Sequence, residues 1–477
     1  MTISLTGSDL TIEDVVAVAR RIETVSLDPA AHEPMERARQ VVDRALERGD
    51  EVYGLTTGVG PLNGVRISGS PGESRTFDRS LIERHRVGQG PPASAEVVRA
   101  MIVCLANTLA RGFAGVRPAV VDSLLALLDG MEPEVRILGS VGQADLTANA
   151  DLAAAILDDV PLVPGEGLAL LNNNAFSAGW SALALAEVGT LLDAMEASGA
   201  LALEGFAASP SSLHPDVADA RPYEGLIASL GTLREHLEGS RLFDPGHGRN
   251  LQDPLSFRNA AHVLGAARDA LGFARRQVSI ELNAAQGNPL VLVGEDRVIS
   301  VANFEAQPIA SAMDALRLGL APAVEASAER SVKLLEHSWS GLPTGLTPQE
   351  SDIGLAVFGI AVQAIAAEVR SLAQPVSLGP ASTSLADGIE DRMTMAPLTA
   401  RRTSELVALA ERVAAIELVV AAQAVELREE APSGRGTSRT HSAVRRVVPF
   451  VGDGDPLPQD LEPVVALVRS GRLSAFG

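Results

Sequence analysis

Few residues in this chain are equipped for chemistry, and they are unevenly placed. There are two tyrosines, and one of them, Tyr53, lies in a glycine-rich stretch, "YGLTTGVGPLNGVRISGSPG", outside any packing stripe. A phenol stays near pKa 10 unless neighbouring positive charge or hydrogen bonds favour the phenolate; a structural hydrogen-bonding role is the simpler alternative. His85 stands in "LIERHRVGQG", flanked by charge, where a solvated or structural histidine competes with ligand contact. The other histidines (His32, His214, His236, His247, His262, His337 and His441) are scattered. No His/Asp/Glu pair has metal-ligand spacing, so no metal site is expected. The single cysteine, Cys104 in "MIVCLAN", excludes an internal disulfide framework and a cysteine zinc cluster, and it reads as a buried, inert thiol.

The elements that must position these groups read as helices. Aromatic residues make up 3% of the 477 residues and apolar residues 46%, with alanine and leucine dominant. Long amphipathic runs of that kind predict a mainly α protein. Ser8 or Asp9 can cap "LTIEDVVAVARRI"; "MERARQVVDRALERG" follows and ends at Gly49. "SAEVVRAMIVCLANTLARG" and "RPAVVDSLLALLDG" also end at glycine. Longer helices are expected at about Ala175–Glu204, Asn259–Leu282, Ile309–Leu335, Ser351–Leu372 and Ala400–Arg428, packed antiparallel as an elongated bundle. A soft boundary separates a loop-rich N-terminal region, residues 1–110, from a continuous helical bundle over 111–477. "EEAPSGRGTSRT" is the best candidate for a mobile loop.

The net charge of −21 opposes a nucleic-acid partner, which needs clustered Lys and Arg; the short "RGTSRTHSAVRR" reads as a solvated face or subunit contact. The N-terminus lacks the basic and apolar regions of a signal peptide. The most apolar helix, "IGLAVFGIAVQAIAAEV", is short for a membrane span, carries Gln363 and Glu368, and is expected to be buried among other helices. A cytoplasmic protein with no membrane partner is the expectation.

Seven stretches, in order along most of the chain, carry a resemblance. "VYGLTTGVG", "LIERHRVGQG", "LGSVG", "PGEGLALLNNN", "LQDPLSFRN", "NPLVL…VANFEAQPIASAMD" and "GIEDRMTM" resemble motifs of the aromatic amino-acid ammonia-lyases, which include histidine, phenylalanine and tyrosine ammonia-lyases. The resemblance implies the histidine ammonia-lyase fold and a homotetramer with each pocket assembled from three subunits. It also implies a small amino-acid-like substrate. It makes Tyr53 the base that removes the β-proton, Arg258 the clamp for the substrate carboxylate, and Glu390 a group near the substrate amine. Asn172, Asn288 and Asn303 match polar pocket positions, and His85 matches the position facing the substrate ring. A salt bridge from Glu390 to Arg392 or another base is the alternative for that carboxylate.

The family's electrophile, a methylidene-imidazolone, arises by cyclisation of an internal Ala-Ser-Gly. Here "GSVGQADLTANADL", Gly139 to Leu152, has no Ala-Ser-Gly whether Asp145-Leu146 or Asp151-Leu152 is taken as the family's Asp-Leu. Dehydration needs the serine, and ring closure needs the following glycine. No cofactor is therefore expected. Other family positions differ too: Leu255 replaces a catalytic tyrosine, Asn173-Asn174 a Gly-Thr, Glu305 a histidine and Arg392 another histidine.

Without an electron sink, elimination across Cα–Cβ needs a better leaving group, and a quaternary ammonium leaves as neutral trimethylamine. One branch, ergothionase, is similar in this respect; it acts on a betaine of thiolhistidine. By that resemblance Tyr53 takes the β-proton, Arg258 holds the carboxylate and His85 faces an imidazole. Glu305 and Glu390, with Phe304, surround the cationic head by charge and cation–π attraction. Another elimination, addition or cyclisation step remains open, as does a non-catalytic lyase homologue.

Overall fold

Alanine- and leucine-rich runs fold into long helices at Ala175–Phe206, Ala260–Leu282, Gln307–Leu335, Phe358–Leu372 and Ala396–Leu427. Four lie within four residues of their expected ends; the fourth of the five begins as a 3-10 turn at Gly354 and turns α-helical at Phe358. The computed structural model describes residues 2–67, 71–347, 353–379, 385–428, 433–452 and 454–475. Part of "EEAPSGRGTSRT", the candidate mobile loop, lies outside them, and its end is the regular helix Arg435–Arg445. The mainly α expectation is met.

Local signals explain most helix ends. The first helix, Ile12–Ala19, is capped by Thr11 and not by Ser8 or Asp9. Thr11 Oγ1 accepts the Asp14 N–H at 3.1 Å while the Asp14 carboxylate accepts the Thr11 N–H at 3.0 Å, a reciprocal pair that satisfies two helix-end donors. Helix Pro29–Arg48 starts on an Asp28 cap with proline in its first turn and stops at Gly49, whose φ of 71° is left-handed.

The chain forms two compact units, and the division does not fall near residue 110. The first comprises residues 1–186, 274–314 and 375–401; the second comprises 187–273, 315–374 and 402–477.

In the first unit, Ala38, Val41 and Val42 of helix Pro29–Arg48 pack with Val52, Leu55 and Val291. That core seats the Tyr53 loop on the hairpin made by Leu290–Leu292 and Arg297–Ile299. Two further strand pairs, Thr2–Leu5 with Thr24–Leu27 and Gln89–Pro92 with Arg136–Leu138, lie in the same unit. Strands of three or four residues, one of them "QGPP", leave no alternating pattern to read.

The second unit encloses a charge. Arg330 and Glu417 are both fully buried and paired at 2.5 Å, and Glu417 also accepts from Ser198 at 2.7 Å and Ser327 at 2.6 Å. Arg330 Nη1 reaches the Ser256 carbonyl at 3.1 Å, beside Phe257, which stacks on Phe206 with ring centres 4.0 Å apart.

The apolar segment Gly354–Leu372, expected to be buried, is only 22% buried over its most apolar 18-residue window, where mean hydropathy is 1.6. Ile353, Val357 and Ile360 are exposed. The comparably apolar segment Glu166–Phe206 is 78% buried. All-round hydropathy says that a helix needs cover, not that its own chain supplies it.

Breaking the enclosed ion pair strands a fully buried charge. Arg330→Met is expected to cost about 3–5 kcal/mol, read as a fall in the urea midpoint of the second unit's transition. An unchanged midpoint would remove the pair from the account of this core.

Candidate active site

A cavity of about 950 Å³ opens in the first unit, and the loop residues gather around it. Tyr53, His85, Asn172, Asn288, Phe304, Glu305 and Glu390 all line it, beside Leu168, Leu171, Gln143 and Arg392. Asn303 does not: it is exposed, and its Nδ2 donates to the Ala285 carbonyl at 3.2 Å. Arg258 lies in the second unit, at the end of the short helix Leu255–Arg258.

Tyr53 is held by its own loop. Gly54 has φ 67°, and a Cβ there would fall 2.2 Å from Leu168 Cδ2, so only glycine allows this close turn against the pocket wall. The phenol oxygen accepts the Gly60 N–H at 3.0 Å. Burial raises the Tyr53 pKa; the Gly60 hydrogen bond opposes that, and the negative charge of Glu390 adds to it. These influences favour the phenol over the phenolate at Tyr53.

His85 ends helix Pro71–His85, and its Nδ1 lies 2.7 Å from the Leu81 carbonyl. A carbonyl oxygen can only accept, so Nδ1 carries hydrogen and neutral His85 has Nε2 as its acceptor. Asn172 Nδ2 reaches the Asn288 carbonyl at 3.4 Å, while its Oδ1 has no hydrogen-bond partner among the described residues. Asn288 Oδ1 is already used, accepting the Val301 N–H at 2.9 Å.

Glu305 is the most constrained group on the wall. Its Oε1 accepts the Gln307 N–H at 2.9 Å; its Oε2 accepts from Arg392 Nε at 2.9 Å and Gln143 Nε2 at 3.4 Å. Although burial works the other way, these partners hold its pKa below the ordinary carboxylate value. Arg392 therefore pairs with Glu305 and not with Glu390. The Glu390 carboxylate has no hydrogen-bond or ion-pair partner among the described residues. The sequence reading missed Gln143, and its signal was the pair of reciprocal changes, an acid at 305 and a base at 392, beside it.

The loop that precedes Gln143 is fixed from several sides. The Val141 carbonyl accepts the N–H groups of Thr394 and Met395, and the Gly142 carbonyl accepts Thr394 Oγ1 at 2.6 Å. Ala144 is buried at φ 60°, a strained conformation for a residue with a side chain. Asp145 donates its N–H to the Asn173 carbonyl at 2.8 Å, and its buried carboxyl accepts from Ser177 N and Oγ at 2.7 and 2.8 Å. Burial pushes Asp145 up to about 6. Glu281, which accepts from Asn174 Nδ2 at 2.9 Å, is pushed up to about 7 by desolvation and by the Asp145 charge.

The sequence profile described as aromatic amino acid lyase matches residues 10–157 and 148–446. The histidine ammonia-lyase of Anaeromyxobacter sp. (strain K) is 35% identical over 508 residues, with 99% of each chain covered. The chain belongs to the aromatic amino acid lyase family. Among solved structures, the ergothionase of Treponema denticola in complex with desmethyl-ergothioneine sulfonic acid superposes with a TM-score of 0.92 at 29% identity, covering 99% of both chains. The tyrosine aminomutase of Streptomyces globisporus gives 0.91 at 27%, covering 99% of this chain and 98% of that one. The helical architecture is thus that of the ammonia-lyases, and ammonia-lyase-type elimination suits a pocket of this composition.

The Asp145–Glu281 pair makes stability depend on pH. The unfolded chain releases the Glu281 proton near 4.5 and the folded one near 7, so between those values the native state holds the extra proton. Stability must then fall as pH rises through that window. Glu281→Gln keeps the acceptor for Asn174 and is expected to reduce the fall in urea midpoint between pH 5 and pH 8. An equal fall in both proteins would contradict the assignment.

Proposed function

We propose that this chain is a carbon–nitrogen lyase that works without a methylidene-imidazolone, eliminating an amine from an amino-acid-like substrate that carries its own leaving group. The leading case is trimethylamine from a histidine-type betaine. The observation that carries the reading is the loop Gly142–Gln143–Ala144–Asp145, which has no serine to dehydrate. Gln143 is committed to Glu305, and Gly142 has no room beside Thr394 and Ala396, whose atoms would lie 2.3–2.7 Å from an added Cβ. One Ala-Ser-Gly triplet occurs elsewhere, at Ala197–Gly199. It is buried inside helix Ala175–Phe206, and Ser198 donates to Glu417. A helical backbone aims the Gly199 N–H along the axis, away from the Ala197 carbonyl carbon that ring closure requires. The residues present do not fit the prosthetic group, and no step is routed through it.

Elimination then runs on the chain's own groups. The Tyr53 phenolate takes the β-proton, the C–H electrons form the Cα–Cβ double bond, and the C–N electrons leave with neutral amine. Such a base supplies about 10²–10⁴-fold in rate, and orientation supplies more. His85 Nε2, left as an acceptor by the Nδ1 bond to the Leu81 carbonyl, is offered to a ring N–H group. With the Glu305 oxygens engaged by Arg392, Gln143 and Gln307, the unpaired Glu390 is the carboxylate left to meet a cation, and Phe304 adds a ring face. The likeness to the ergothioneine-degrading ergothionase supports a betaine substrate.

The carboxylate clamp in this reading is Arg258, reaching the pocket of a neighbouring subunit in a homotetramer. Arg258 is exposed, and its side chain has no ion-pair partner among the described residues. The uncovered Gly354–Leu372 helix gives such an assembly an apolar surface to bury. The engaged state of Glu305 keeps a second reading alive, an elimination, addition or cyclisation on an uncharged substrate.

Pure protein is expected to have the mass of its sequence, with no loss of two waters, and to run as four chains by light scattering. Mixed with histidine and its trimethylated betaines, it should generate the urocanate-type chromophore from a betaine alone, and Tyr53→Phe should lower turnover about 10²–10⁴-fold. Ammonia release from unmethylated histidine, or silence with every betaine, would overturn the betaine reading.

A further inference from the structure

The base of this pocket and its unpaired acid are mechanically joined. Gly60, which donates to the Tyr53 oxygen, sits against the segment carrying Glu390: a Cβ on Gly60 would touch Ala386 Cβ at 3.4 Å. That segment folds back on itself, with Leu385 and Glu390 paired through their backbones. Around Tyr53 the cavity presents five other ionisable positions besides Glu390. Glu51 pairs with Arg66 at 3.1 Å, Glu305 with Arg392 at 2.9 Å, His85 is tied to Leu81, and Asp391 is exposed. Glu390 alone is a half-buried carboxylate left without a counter-charge.

We propose that the positive charge of the substrate is itself the switch for the general base: a cation seated between Tyr53 and the Glu390 carboxylate is what allows Tyr53 to give up its proton. In the empty pocket the phenol keeps its hydrogen, because burial and the Glu390 charge both resist a second negative group. A quaternary ammonium cancels the Glu390 charge and lies beside the phenol oxygen, so phenolate forms and the proton goes to solvent. The phenolate then takes the β-proton, and the amine departs with the C–N electron pair. Cleavage of the C–N bond, which makes the amine neutral, restores the uncompensated Glu390 charge, and Tyr53 remains a phenol until the next cation enters. A substrate with a neutral group in the same place would bind without arming the base. This inference rests on the reading of Tyr53 as the base, and it adds a reason for selectivity that shape alone would not give.

The chain's tyrosine content makes the switch measurable without turnover. Its only other tyrosine, Tyr223, is 58% exposed and lies in the second unit. In a Tyr223→Phe protein, the ultraviolet phenolate band therefore reports Tyr53 alone. Tetramethylammonium or glycine betaine is expected to move its titration midpoint down by about one pH unit or more, whereas tert-butanol, of similar shape and uncharged, should not. Adding Glu390→Gln should lower the midpoint of the empty pocket and remove the response to the cation. Incorporating 3-fluorotyrosine and following it by ¹⁹F NMR brings the titration to milder pH if alkali unfolds the protein. A midpoint indifferent to tetramethylammonium, or unmoved by Glu390→Gln, overturns the switch. A cation-dependent midpoint with no betaine turned over would overturn the proposed reaction and leave the switch standing; turnover with a fixed midpoint would do the reverse.

Discussion

The site is organised around a carboxylate with nothing left to give. Glu305 spends Oε1 on the Gln307 backbone and Oε2 on Arg392 and Gln143. Three segments far apart in sequence meet at this one side chain, and small residues close behind it: Ala306, Ala310 and Ala396 pack together with no exposed surface. The arrangement makes the wall rigid and nearly neutral. It also leaves Glu390, two residues from Arg392 on the same segment, as the half-buried carboxylate of the pocket without a counter-charge. A partly buried ion pair of this type adds little net stability, since desolvation offsets most of the attraction; its value lies in fixing geometry and in deciding which acid stays uncompensated.

A second constraint works from beneath. The Gly142–Asp145 turn is short, strained at Ala144 and tied at each end by backbone hydrogen bonds. Strain of about 1–3 kcal/mol persists only where surrounding contacts over-determine the conformation. Here the Asp145 carboxyl, gripped by Ser177, and the Thr394 hydroxyl on the Gly142 carbonyl supply that determination. The turn presents one side chain, Gln143, to the cavity and delivers it to Glu305.

Much of this was legible in the sequence, for reasons that differ by element. The long helices announce themselves through alanine- and leucine-rich runs, so the bounds of four of the five were readable to within four residues. The Tyr53 loop was legible because its glycines break any helical period, and one of them, Gly54, makes a left-handed turn against Leu168. The short strand pairs were not, because three residues carry no period. The alternative pairing of Arg392 with Glu390 rested on nearness in sequence, whereas the fold brings Glu305 to Arg392. The Gly354–Leu372 helix misled for a related reason: hydropathy reports a demand for cover and is silent on which chain meets it.

The one cysteine has a practical meaning. Cys104 is buried in helix Ala95–Ala110, and burial pushes its thiol far above the usual range, so almost no thiolate exists to react. The natural chain is therefore blank to alkylating reagents. A single cysteine placed at the rim of the cavity or on the uncovered helix would be the sole reactive thiol, and a probe attached there would carry its address with it, with no native residue to remove first.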